Sequence, residues 1–179
     1  MKKFLQFSGL IAAVVAIVAF VLMLACPALQ YVPTYGDTLY IQGVDAIFGK
    51  TSSHDFGGVV TASATVYKAT ASAIIAFVLL IVAIVILILG AILPLCKINA
   101  LNKFSGLLNL IAVVALVAAG ILIFIEKPCF VAAQGNELYK DYALAAGWII
   151  SAICAIVAGA LAIAPAFADF LSKGKKKRK

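Results

Sequence analysis

Charge is what this sequence has least of. Only 12% of its 179 residues are Asp, Glu, Lys or Arg, against about 25% in soluble domains. Arginine occurs once, at Arg178, and histidine once, at His54. Four stretches hold no charged residue at all: Phe4 to Gly36, Ala69 to Cys96, Phe104 to Ile125 and Tyr142 to Ala168. These absences exclude functions. A proton- or cation-coupled carrier places a carboxylate or histidine near mid-membrane, because an ionisable group there is costly and is kept for use; the four stretches supply none. A metal centre needs three or four ligands in compatible geometry, and His54 with Asp37, Asp45 and Asp55 scattered over a loop does not make one. Nucleophilic catalysis needs a nucleophile and a convergent base, and a lone loop histidine gives no such pair. The chain therefore reads as no enzyme, with no cofactor, no metal and no catalytic residue.

What is abundant is apolar. The hydrophobic fraction is 65% and the mean hydropathy +1.17, where soluble domains are roughly 45–50% apolar. About 20 mostly apolar residues cross a bilayer as a helix, and each uncharged stretch is that long. The reading is an all-α membrane protein, one domain over residues 1–179, with spans at about 4–29, 67–94, 104–125 and 142–167. Outer loops cover 30–66 and 126–141, and a basic tail covers 168–179. In the first loop, Thr38 to Gln42 is a candidate strand, Gly43 to Gly49 a short apolar piece, Ser52 to Gly58 a loop, and Val59 to Val66 a candidate second strand. Together they predict a small two-stranded extracellular cap.

Basic residues gather on the cytoplasmic side of membrane proteins. Lys2, Lys3, Lys97, Lys103, Lys173, Lys175, Lys176, Lys177, Arg178 and Lys179 fall on one side of a four-span layout. The acids Asp37, Asp45, Asp55, Glu126, Glu137 and Asp141 fall on the other. Both sets predict cytoplasmic termini in a plasma membrane. The competing reading, Lys2-Lys3 opening a cleaved secretory signal that ends near Cys26, is disfavoured by an apolar run longer than a signal's core. The tail cluster, Lys173 with Lys175 to Lys179, is expected to hold the orientation and contact anionic lipid headgroups; nucleic acid is not expected.

Within the spans, small residues recur at helical spacing. Gly9, Ala12, Ala13, Ala16 and Ala19 line span one. Gly147, Ser151, Ala155 and Gly159 fall four apart in span four, a pattern that lets helix backbones approach closely in lipid. Ile156 and Val157, further round, are expected to face lipid. Asn109 in span three is a candidate interhelical hydrogen-bonding group. Cys26 and Cys129 alone share the outer compartment and form a candidate disulfide. The functional expectation is a non-enzymatic protein acting by helix packing, with a membrane-protein partner or as a homo-oligomer. The alternative is a transport component, a pore or carrier for an apolar or amphipathic solute, lined by Asn109, Ser151 and Cys154.

This layout, a larger first outer loop and a smaller second one, resembles the claudin and tetraspanin type of four-span protein. The claudin first-loop Trp and Cys residues and the tetraspanin Cys-Cys-Gly are absent. The segment Gly43-Val-Asp-Ala-Ile-Phe-Gly49 is similar to small uncharacterised bacterial four-span proteins. That resemblance implies a lineage and no activity.

Overall fold

The computed structural model describes residues 2–56, 60–92 and 105–176. Its elements are α1 (Lys2–Ala25), β1 (Pro27–Tyr31), β2 (Leu39–Gln42), α2 (Gly43–Phe48), β3 (Lys50–Phe56), β4 (Val60–Tyr67), α3 (Ala71–Ile92), α4 (Ser105–Phe124), α5 (Glu126–Gln134), the 3-10 turn η1 (Glu137–Asp141), β5 (Ala143–Leu144) and α6 (Ala146–Lys176). Four helices, α1, α3, α4 and α6, carry segments of 18 to 22 residues that are long and apolar enough to cross a membrane. At about 1.5 Å per residue, 22 residues reach about 33 Å, the thickness of a hydrocarbon core.

These helices pack as a closed ring, α1 on α3, α3 on α4, α4 on α6 and α6 back on α1. Consecutive spans run antiparallel, so the start of α1 and the end of α6 lie opposite the cap. The interior is built from small side chains. Ala12, Ala16 and Ala19 of α1, Ala73, Ala76 and Ala83 of α3, Ala112 and Ala119 of α4, and Ala152, Ala155, Ala158 and Ala162 of α6 are all fully buried. Most of the β-branched residues point outward: Ile11, Val14, Ile75, Val78, Val85, Val114, Ile150 and Ile153 are exposed, while Leu80, Leu87, Leu116 and Ile123 join the alanines inside. A water-soluble bundle does the reverse. This inversion follows when packing of close backbones, not exclusion of apolar groups from water, holds helices together.

The cap differs from the expected pair of strands in three ways. First, α1 stops at Ala25, and residues 27–29 of the expected first span, with 30–31 of the expected loop, form β1. The last helical bond runs from Cys26 N–H to the Leu22 carbonyl, 3.0 Å; Pro27 then has no N–H to continue it, and the first residue of a strand tolerates that loss. Second, β2 and β4 do not pair with each other. β2 pairs antiparallel with β1, matching Tyr31 to Leu39, and β1 pairs on its other edge with β5, giving a sheet of order β2-β1-β5. β4 pairs with β3, matching Ser53 to Ser63 and His54 to Ala62. The stretch read as a loop is therefore mostly strand. β1 with β2 and β3 with β4 are pairs of strands consecutive in the chain, the ordinary outcome for antiparallel neighbours, whereas β5 reaches β1 from the far end of the sequence. Third, the second outer loop is helical, α5 followed by η1. Pro128 sits in the first turn of α5, where a missing N–H is harmless. Gly135 ends α5 in the left-handed region (φ 64°), its N–H bonding the Val131 carbonyl at 3.1 Å, a conformation that glycine adopts without steric cost.

Candidate functional site

The chemistry-bearing side chains collect where the cap meets the end of the bundle beneath it. Glu126 opens α5 directly above α4 and is fully buried. The Ser72 hydroxyl, in the first turn of α3, donates to Glu126 Oε2 at 2.5 Å. The other carboxyl oxygen, Oε1, has no partner, nor has the hydroxyl of buried Thr70. The ion pairs among the described residues, Lys50 with Asp45 and Lys140 with Glu137, leave Glu126 uncompensated. Burial raises the Glu126 carboxyl to about 7, and the Ser72 hydrogen bond pulls it back down; the Thr70 hydroxyl stands close enough to lower it as well, but outside hydrogen-bonding geometry. A carboxyl in such a place is poised between neutral and charged forms, because burial disfavours the anion.

A second link sits two turns along α5. The Gln134 carboxamide makes a double hydrogen bond with the Lys68 backbone, accepting from Lys68 N–H at 2.9 Å and donating to its carbonyl at 2.8 Å. Glu126, Phe130 and Gln134 are four apart and share the face of α5 that meets the chain leading into α3. Phe130, fully buried between them, packs edge-on to Tyr139, and Tyr67 closes against both rings. Burial raises the Tyr67 and Tyr142 phenols, so both stay neutral. Thr70 N–H, in turn, bonds the Ala46 carbonyl of α2 at 2.9 Å. The start of α3 is thus held from two sides, by α2 and by α5. The outer face of α5 bears a shallow depression of about 400 Å³ lined by Lys127, Pro128, Val131, Ala132 and Lys140.

A third link joins α1 to α6. The Trp148 indole N–H donates to the Met23 carbonyl at 2.9 Å, and Ser151 Oγ donates to the Ala19 carbonyl at 2.7 Å. Gly43 lies over the first of these bonds. A Cβ there would collide with the Met23 carbonyl and come within 2.7 Å of Trp148 Nε1.

The residues singled out from the sequence are dispersed over this frame. The α6 stripe divides between two neighbours. Gly147 meets the Cys26 side chain and Ser151 meets α1, while Gly159 meets Val117, Leu116 and Val113 of α4. Ala155 is buried. Val157 is exposed as expected, but Ile156 is not a lipid-facing control: its side chain seats on Gly120 of α4. Asn109 is buried with its carboxamide oxygen against Gly90 of α3, at 2.7 Å from where a Cβ would be. The Cys26–Cys129 disulfide is not formed, and Cys26, Cys129 and Cys154 are free. The Cys26 thiol is taken up against Gly147 on α6, whereas Cys129 rides on α5. Of the basic tail, Lys173, Lys175 and Lys176 continue the α6 backbone, while Lys177, Arg178 and Lys179 lie outside the described residues.

Glu126, Gln134 and Trp148 were missed as site residues. Glu126 reads as a loop charge because Lys127 and Pro128 follow it; the four-residue spacing to Phe130 and Gln134 was the available signal for an inward helical face. Comparisons with protein-family models, curated proteins and solved structures give no match.

Proposed function

We propose that the chain is a non-enzymatic, multi-pass membrane protein that works by packing, as an assembly or accessory subunit or as a homo-oligomer. One observation carries this reading: among the described residues, Ser72, Ser151 and Asn109 of the spans are each engaged with a neighbouring helix. Ser151 bonds a carbonyl of α1, Ser72 bonds Glu126 at the cap, and Asn109 packs on Gly90. The space between them is filled by alanines together with Met23, Leu80, Leu87, Leu116 and Ile123, all buried. Such an interior supports a scaffold more than a conduit. The distribution of basic residues supports cytoplasmic termini in a plasma membrane, with the Lys173–Lys179 tail on anionic headgroups.

The test is reconstitution into liposomes, with solute and ion efflux measured beside in-membrane cross-linking. Efflux equal to empty vesicles, with a specific cross-linked dimer or partner, is expected. Saturable efflux that is lost on replacing Ser151 and Asn109 would establish the transport reading instead.

A further inference from the structure

We propose that Glu126 is a proton-binding site that fastens the outer cap to the second span when its carboxyl is neutral and loosens it when the carboxyl ionises. Glu126 is fully buried, and its Oε2 is already taken by Ser72. Two buried polar atoms are left over, Glu126 Oε1 and Thr70 Oγ1. One proton accounts for both. Placed on Oε1, it turns a bare acceptor into a donor, and the Thr70 hydroxyl is the acceptor beside it. Without that proton, an anion stands in a pocket holding only two hydroxyls, a situation that favours either protonation or entry of water.

The neighbouring elements offer no countercharge. α3 and α4 contain no Asp, Glu, Lys or Arg between Ala71 and Ile92 or between Ser105 and Phe124. From the cap, Tyr67 and Tyr139 stand over α5, and Tyr67 is held neutral by burial. On α5 itself, Lys127 lines the outer depression with Lys140. Lys140 pairs with Glu137, Asp45 pairs with Lys50, and Lys68 and Asp141 are exposed. The raised carboxyl value of about 7 agrees with this arrangement.

A carboxyl raised from 4.5 to about 7 in the folded protein binds more protons there than when unfolded. Its stabilising contribution is full below about 4.5 and is lost as pH rises through about 7. The loss falls on the segment Lys68–Ser72, which α5 holds through Glu126 and Gln134. The proposal is independent of what the bundle packs against.

The experiment is hydrogen exchange and thermal unfolding of the full chain in nanodiscs between about pH 5 and about pH 8.5, in wild type and Glu126→Gln, with a vibrational spectrum of the carboxyl region. Wild type should lose protection at 68–72 as pH rises, with exchange corrected for the intrinsic base-catalysed rate at each pH, and show a protonated-carboxyl stretch persisting near pH 6, where exposed acids are ionised. Glu126→Gln should abolish both the stretch and the pH dependence. A pH dependence unchanged in Glu126→Gln overturns the proposal. If that variant does not fold, the wild-type spectrum decides: absence of the stretch near pH 6 overturns it, and its presence, shifted by Ser72→Ala, supports it. Protection restored at high pH by sodium but not by choline also overturns it, in favour of a cation site.

Discussion

Trp148 and Met23 are joined across the bundle: the indole N–H of one meets the carbonyl oxygen of the other at 2.9 Å, with Gly43 seated on top of the bond. Three distant parts of the chain, the end of α1, the start of α2 and the start of α6, meet at this point. Trp148→Phe keeps the ring and removes the donor. The buried Met23 carbonyl loses its side-chain partner, and about 1–2 kcal/mol of stability should go with it. Gly43→Ala should cost more, because the new methyl meets backbone, which cannot yield as a side-chain end can. Thermal unfolding in detergent checks both. An unaffected Gly43→Ala would mean that α2 does not press on α1 and α6.

The α6 stripe gives a graded set. Gly159→Leu and Ala155→Leu should cost about 1–3 kcal/mol by overpacking against α4 and the bundle interior. Val157→Leu, at an exposed position, should cost little. Ser151→Ala removes one interhelical bond and should cost about 0.6 kcal/mol. Melting of the monomer separates these from a dimer interface. If Gly159→Leu dissociates a dimer and leaves the monomer as stable as before, the stripe lies between subunits.

Gln134 offers the cleanest local test. Gln134→Leu preserves bulk while cutting both bonds to the Lys68 backbone, so about 1 kcal/mol should be lost locally. The Lys68 amide should exchange faster in hydrogen-exchange measurements. Amides in the half of the bundle opposite the cap should not change.

The sidedness is checked by labelling. A cysteine at Ser52 should react with an impermeant reagent from outside, and one at Lys179 only from inside; the reverse pattern would invert the protein. Neutralising the six basic residues from Lys173 to Lys179 should weaken binding to anionic vesicles at low salt and leave the melting temperature unchanged.

The four spans were legible because a bilayer demands a length, and twenty uncharged apolar residues satisfy almost nothing else. The small-inside, large-outside division was legible for a related reason: Ala12, Ala16 and Ala19 alternate with Val14, Ile17 and Val18 at helical spacing. The cap was less so. Residues 27–31 are apolar enough to pass for the end of a helix, and Pro27 alone marks the change. Strand partners were not legible, because neither Thr38–Gln42 nor Val59–Val66 carries a register signal strong enough to pick its neighbour. Glu126 was hidden by the usual inference from charge to exposure. Only the face it shares with Phe130 and Gln134 argues otherwise, and that face exists only if α5 is a helix. Cys26 shows the limit of compartment reasoning. Sharing a compartment with Cys129 permits a disulfide, but Gly147 leaves room for the Cys26 side chain against α6 instead.

The same Trp148 has a practical consequence. It is the only tryptophan in 179 residues, fully buried, and close to Gly43, whose absent side chain leaves the indole nitrogen accessible to backbone alone. Its emission is therefore a single-site optical reporter, with no second indole to blur it. A blue-shifted spectrum registers the junction of cap and bundle as closed, and a red shift registers water reaching the seam between α1 and α6. Because Glu126 lies at the other side of the same cap-bearing end, a titration followed by this one fluorophore can separate loosening confined to α3 and α5 from opening of the whole cap.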